Sequence, residues 1–234
     1  MTLRPRDMSG HPPAIAPAYR SSRLRGPTQA PIAIPATPTE TTGPVFGHGV
    51  LGPLDGDLIR NFAAPGQMAI GQRTIVHGRV TDEAGRAVPN TLVEVWQANA
   101  GGRYRHAKEG YLAPLDPNFG GCGRVMTDDQ GRYRFETVKP GAYPWPNGGN
   151  DWRPAHIHFS VFGSGFGQRL ITQMYFEGDP LVARCPIAQS IPAGGAERLV
   201  APLDWEETVP MDARAYRFDI ILRGPLATPF EATP

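Results

Sequence analysis

The chain has 234 residues, 40% of them hydrophobic, and a formal net charge of only +1. That length carries one large all-β domain or two small domains with a full-sized core, and the near-neutral charge excludes the basic footprint of a nucleic-acid-binding domain. Two cysteines, Cys122 and Cys185, are too few for a disulfide framework or a structural zinc site. The N-terminus has no apolar signal region and no apolar run reaches bilayer length, so a cytoplasmic protein without a membrane segment is expected. Positive charge is almost all arginine, with Lys108 and Lys139 the only lysines; arginine suits planar anions such as carboxylates.

Prolines crowd residues 1–53, among them Pro12, Pro13, Pro17, Pro27, Pro31, Pro35, Pro38, Pro44 and Pro53. Such a stretch resists regular helix and central strand. We read it as an extended arm, loose over its first ten or so residues and then laid over a body or a partner. Residues 54–234 form the body in this reading.

From Arg73 onward the pattern changes to short strands separated by turns. Thr74–Thr81 is β-branched-rich and ends in the turn Asp82-Glu83-Ala84-Gly85. Thr91–Ala98 alternates, with Leu92, Glu94 and Trp96 on one face and Val93 and Val95 on the other. A second turn, Asp128-Asp129-Gln130-Gly131, precedes a strand at Arg132–Thr137, and strands at Ala155–Phe162, Leu170–Phe176 and Tyr216–Leu222 complete the set. One short helix is expected at Ala196–Ala201. Short strands with Gly/Pro turns and no long helical periodicity point to an all-β fold, a β-sandwich. Two long loops, Gly101–Arg124 and Pro140–Pro154, interrupt the scaffold, and such loops are where function usually sits.

The sharpest chemical signal is Ala155-His156-Ile157-His158-Phe159. Residues i and i+2 of a strand point to one face, so His156 and His158 can set two imidazoles side by side as ligands of one metal. No thiolate lies near in sequence, which disfavours a zinc-ribbon site. No carboxylate stands at a facial-triad spacing either. The preceding loops offer Tyr104, Tyr111 and Tyr143 instead. A phenolate is a hard anionic ligand suited to Fe(III), as tyrosinate ligation of ferric haem illustrates. Spacing alone does not choose among the three tyrosines.

Several blocks resemble the intradiol ring-cleavage dioxygenase family. They are Leu92–Gly101, Gly102-Arg103-Tyr104-Arg105-His106, Tyr111–Gly121, Tyr143-Pro144-Trp145, Asn150–Phe159, Ile171–Pro180 and Tyr216–Gly224. The likeness runs from about Tyr19 to Gly224, with the blocks in the family's order. It implies a β-sandwich with long functional loops and a non-haem Fe(III) held by Tyr104, Tyr143, His156 and His158, leaving Tyr111 outside the set. It implies that Tyr143 is displaced by substrate and that Arg153 lies beside the bound ring as a catalytic residue. Tyr19, Trp96, Trp145, Gln173 and Ile187 would line the substrate or oxygen pocket, with Arg25 supporting it from the arm. The implied reaction is intradiol cleavage of protocatechuate by O2, giving 3-carboxy-cis,cis-muconate. The implied partner is a homologous alpha chain that completes one wall of the pocket in a hetero-oligomer. Relatives acting on catechol or hydroxyquinol carry a helical N-terminal segment that the Pro-rich arm cannot form, and a non-catalytic homologue would lack the ligands present here. One departure is Ala142, where the family has proline before the displaceable tyrosine.

Overall fold

The computed structural model describes residues 10–26, 51–149, 151–162, 169–192 and 194–230. Twelve strands dominate among the described residues. The first sheet is built on β1 (Arg73–Thr81), which pairs antiparallel with β4 (Arg132–Val138) on one side. On its other side run β11 (Ala213–Arg217) and then β12 (Ile220–Ile221), both parallel to it. β10 (Leu203–Val209) closes the edge against β11. The second sheet has the order β3 (Cys122–Met126), β2 (Leu92–Gln97), β7 (His156–Phe162), β8 (Arg169–Phe176) and β9 (Val200–Ala201). A two-stranded hairpin, β5 (Tyr143–Pro144) with β6 (Trp152–Arg153), stands apart from both. The all-β sandwich read from the sequence is the fold observed.

The core lies between the sheets, and its composition follows from alternation along each strand. Ile157, Phe159 and Val161 of β7 turn inward and are fully buried. Val95 pairs with Phe159 and Val93 with Val161, so the same face continues on β2. Phe159 sits at the centre, with Tyr133, Phe135 and Phe218 around it at ring separations of 6.1, 6.0 and 5.0 Å. The opposite parity, His156 and His158 on β7 with Trp96 on β2, faces away from the first sheet.

Differences from the sequence reading have local causes. The strand expected at Tyr216–Leu222 is broken in two: β11 ends at Arg217 and β12 starts at Ile220. At the break the Phe218 amide donates to the His77 carbonyl, while the Asp219 carboxylate accepts from the Arg79 amide. Gly78 faces this point, where an added Cβ would lie 2.0 Å from the Phe218 carbonyl oxygen. β3 takes the end of what reads as the loop 101–124, and β10, with Trp205 and Glu206 exposed, lacks a clean alternation. The helix expected at Ala196–Ala201 is a 3-10 turn over Ala196–Leu199 that runs into β9. A short helix α2 (Pro186–Gln189) was not foreseen. Cys185 is buried and Cys122 is exposed, and both are free thiols.

The arm needs one correction. It holds one helical turn, α1 (Ser22–Arg25), in the proline-free interval between Pro17 and Pro27. Residues 10–26 also pack on the chain's own body: Ala16 and Tyr19 are buried, and the His11 ring stacks on Phe230 at 4.2 Å. The expectations for residues 1–9 and for Ile32, Ile34, Val45 and Phe46 lie outside the described residues.

Phe159→Ala removes the ring shared by both sheets. It should destabilise the chain by about 3–5 kcal/mol, read as a lower denaturation midpoint with an unchanged m-value. A loss under about 1 kcal/mol would show that the two sheets do not meet through this ring.

Candidate metal centre

Four side chains converge on the outer face of the second sheet. The Tyr104 hydroxyl lies 3.2 Å from Nε2 of His158 and 3.4 Å from Nε2 of His156. The Tyr143 hydroxyl lies 3.5 Å from Nε2 of His156. The histidines come from β7, Tyr143 from β5, and Tyr104 from the loop after β2. That loop is fixed by Asn99, whose side-chain oxygen accepts from the Gly101 and Arg103 amides at 2.9 and 3.0 Å. Its turn needs Gly102 at φ +82°, where a Cβ would meet the Ala142 carbonyl oxygen at 2.3 Å. The loops bearing the two tyrosines therefore touch backbone to backbone.

The donor set has the chemistry of a metal site. Nδ1 of His156 lies 2.7 Å from the Pro154 carbonyl oxygen. A carbonyl only accepts, so Nδ1 carries the proton and the Nε2 lone pair is turned to the tyrosine oxygens. Burial pushes His156 well below the ordinary imidazole pKa, and Arg153 and His158 add to the effect, so the ring is neutral. The His158 ring lies parallel to Trp96 at 4.8 Å, which fixes its plane. Among the described residues no cluster of three His, Cys, Asp or Glu could hold a metal. An ion bound here would take two imidazole nitrogens and two phenolic oxygens, and the phenolates favour a hard trivalent ion.

Arg153 borders this set. It is buried at 4% exposure, and its guanidinium lies 5.7 Å from the centre of the Trp145 ring. Burial alone would lower its pKa, but Tyr175, Tyr143, Cys185 and Tyr104 outweigh that and hold it above the usual arginine value. It remains a permanent cation pinned by β6, opposite Tyr143 in the hairpin. Its Nη2 donates to Oε1 of Gln173.

The arm supplies the remaining aromatic. Tyr19 is buried edge-on against Trp145 at 5.3 Å. Asn147 holds it there: its Nδ2 donates to the Ala18 carbonyl at 2.8 Å, and its Oδ1 accepts from the Arg20 amide at 2.8 Å. Nδ2 also donates to the Asp151 carboxylate at 3.0 Å. Ser22 folds the arm back on itself, accepting from the Ala16 amide and donating to the Tyr19 carbonyl.

Of the residues singled out from the sequence, Tyr104, Tyr143, His156, His158, Arg153, Trp96, Trp145, Gln173 and Tyr19 lie together. Ile187, on α2, lines a small cavity with Gln173 and Tyr175. Tyr111 makes no hydrogen bond or ring contact with either histidine; its amide donates to Glu109 at 2.8 Å. The Arg25 side chain and Asn150 lie outside the described residues. Sequence reasoning missed Asn147, which reads as an ordinary turn residue in Pro146-Asn147-Gly148-Gly149. It also missed Tyr175, which alternation from Gln173 would have found.

Two family models match the chain: "Dioxygenase" over residues 41–224 and "Protocatechuate 3,4-dioxygenase beta subunit N terminal" over residues 4–37. A protocatechuate 3,4-dioxygenase beta chain of Burkholderia cepacia is 54% identical over 98% of this chain and 97% of its own. The alpha chain of the same-named enzyme from Pseudomonas putida is 31% identical over 84% of this chain and 96% of its own. Among solved structures, catechol 1,2-dioxygenase from Acinetobacter sp. ADP1 aligns with a TM-score of 0.54 at 27% identity. That alignment covers 74% of this chain and 58% of that longer one.

Asn147→Ala should free the arm from the Tyr143–Arg153 hairpin. The expected cost is about 1–3 kcal/mol, because partners of a buried amide are left unpaired. Hydrogen exchange at the Arg20 amide should quicken while β7 amides stay protected. Equal exchange of both segments in variant and parent would show that Asn147 does not hold the arm.

Proposed function

Because the chain belongs to the intradiol dioxygenases, in the protocatechuate 3,4-dioxygenase beta-chain family, we propose that it carries the iron site of an enzyme that opens the ring of protocatechuate with O2. Both oxygen atoms enter the product, 3-carboxy-cis,cis-muconate. The observation that carries the reading is the convergence of two phenolic oxygens and two imidazole nitrogens within 3.5 Å on one sheet face. Non-haem iron is general to the family. The finer reading is that Tyr104, Tyr143, His156 and His158 hold it here as Fe(III). When bound, the ferric ion would supply the Lewis acidity that draws electron density from a chelated catecholate and opens its ring to O2.

The chain's own residues supply positioning and charge. His156 contributes a neutral nitrogen in a single tautomer, because the Pro154 carbonyl takes the proton on Nδ1. Tyr143, on the short hairpin and half-buried, is the ligand free to swing aside, and its phenolic oxygen accepts a proton from a substrate hydroxyl. Tyr104 sits between both histidines and is the fixed phenolic ligand. Arg153 places a buried cation beside the ring and stabilises negative charge that develops on the substrate oxygens. Tyr19 and Trp145, packed edge-on, form the arm-side wall in this reading. Residues 1–53 act as an arm on a body of residues 54–234, and residues 10–26 of that arm complete the pocket.

The partner is a homologous alpha chain. Relatives of this chain include chains of that name. A protocatechuate carboxylate needs a cationic or hydrogen-bonding anchor; in this reading Tyr19 contributes to it and the second chain supplies the rest of that wall.

Oxygen uptake with protocatechuate should require this chain and its alpha partner together; full turnover by this chain alone would sink the two-chain reading and leave the iron chemistry intact. Tyr143→Phe should keep iron, shift the visible band that tyrosinate gives ferric iron, and slow substrate binding. Tyr104→Phe should disturb the iron site itself. If Tyr111→Phe alone abolished the colour, the ligand assignment would be wrong.

A further inference from the structure

Beside the two histidines lies a polar group of three residues whose bonding leaves it one-sided. The register of β7 and β8 sets Gln173 against His158 and Tyr175 against His156, all on the outer face of the second sheet. Gln173 is 2% exposed and Tyr175 1%. The side-chain oxygen of Gln173 accepts from Nη2 of Arg153 and from the Tyr175 hydroxyl, the latter at 3.1 Å.

These roles follow from the donor inventory. A guanidinium has no acceptor, so the amide atom that faces it is the oxygen. The Tyr175 hydroxyl meets that same oxygen and therefore donates to it. Two donors fill the two lone pairs of Oε1. Rotating the amide by half a turn would lose both bonds and set –NH2 against the cation.

The other side of the group consists of donors alone. Nε2 of Gln173 and Nε of Arg153 are both buried and have no hydrogen-bond partner among the described residues. A buried donor without an acceptor costs about 1–3 kcal/mol, so each of these two calls for an acceptor, which a bound molecule can supply. The cavity that Gln173 and Tyr175 share is otherwise lined by Pro12, Ile187, Ile191, Leu199 and Phe230. Those side chains cannot orient the amide, so the orientation rests on Arg153 and Tyr175.

We infer that Tyr175 is a positioning residue that, with Arg153, locks the Gln173 amide so that this wall offers only hydrogen-bond donors to an anionic oxygen of the reacting molecule. The inference rests on the ring-cleavage reading and extends it to a residue that touches neither substrate nor metal. Without the Tyr175 hydroxyl the amide oxygen keeps one bond, the side chain gains rotamer freedom, and Nε2 no longer stays on the oxygen that acquires charge. The loss falls on the charged transition state more than on the bound ground state.

The test uses the assembled, iron-loaded enzyme with its partner chain. Parent, Tyr175→Phe, Gln173→Ala and the double variant are compared in kcat by oxygen uptake and in protocatechuate Kd by anaerobic titration of the visible band. Tyr175→Phe should keep its iron, bind protocatechuate within about twofold of the parent, and lose about tenfold in kcat. In the Gln173→Ala background the same substitution should change kcat by less than about twofold, because the tyrosine acts only through the amide. Parental kcat in Tyr175→Phe, or an equal loss in both backgrounds, would overturn the proposal. Should Tyr175→Phe fail to load iron, Gln173→Glu decides. It keeps an acceptor for both partners and removes the Nε2 donor, so parental turnover in that variant would overturn the proposal as well. A parent enzyme that binds iron but leaves protocatechuate intact would overturn the ring-cleavage reading and this inference with it.

Discussion

The strand β7 has two faces with incompatible demands, and the rest of the molecule is arranged around meeting both. Ile157, Phe159 and Val161 fill the space between the sheets; His156 and His158, the residues between and before them, look out to the loops. A slip of one residue would bury both imidazoles in an apolar core and expose the aromatic centre, so register and site are specified by the same contacts. Neighbouring strands inherit the arrangement. Trp96 falls beside His158 on one side and Gln173 on the other because the ladder allows nothing else.

Charge is managed by burial on this outer face. A neutral imidazole and a permanent guanidinium sit within one small region, and each affects the other: Arg153 helps keep His156 unprotonated. The tyrosines in turn favour the cation. A site with this balance accepts anionic ligands without importing a counter-ion, because the compensating positive charge is already fixed in the wall. The Pro154 carbonyl orients the His156 ring by accepting from Nδ1, and that hydrogen bond opposes part of the lowering of its pKa. As the residue next but one before His156, it is held by the proline ring in an extended approach to β7 and meets Nδ1.

Much of this was legible in the chain. The period of two along Ala155–Phe162 gave the strand, the pairing of the histidines and the inward aromatic at once. The split between β11 and β12 was not legible, because the residues from Tyr216 to Leu222 keep a strand-like composition straight through the break. Only the approach of the Phe218 carbonyl to Gly78 and the Asp219 cap on Arg79 reveal it. β10 was hidden for the opposite reason: Leu203–Val209 is an edge strand with charged and aromatic side chains in solvent, so burial leaves no pattern on it. The tyrosines proposed as ligands could be short-listed from chemistry but not chosen, since Tyr104 and Tyr111 share one loop and differ in where Asn99 and Gly102 turn it.

Asn147 joins residues 18 and 20 to a loop some 127 positions later in the chain. The arm precedes its docking site in the chain, and that site does not exist until the hairpin around Trp145 has folded. A contact of such long sequence separation forms late, after the entropy of closing a loop that size has been met by the sandwich core. The segment bearing Tyr19 is therefore expected to dock after the scaffold has formed.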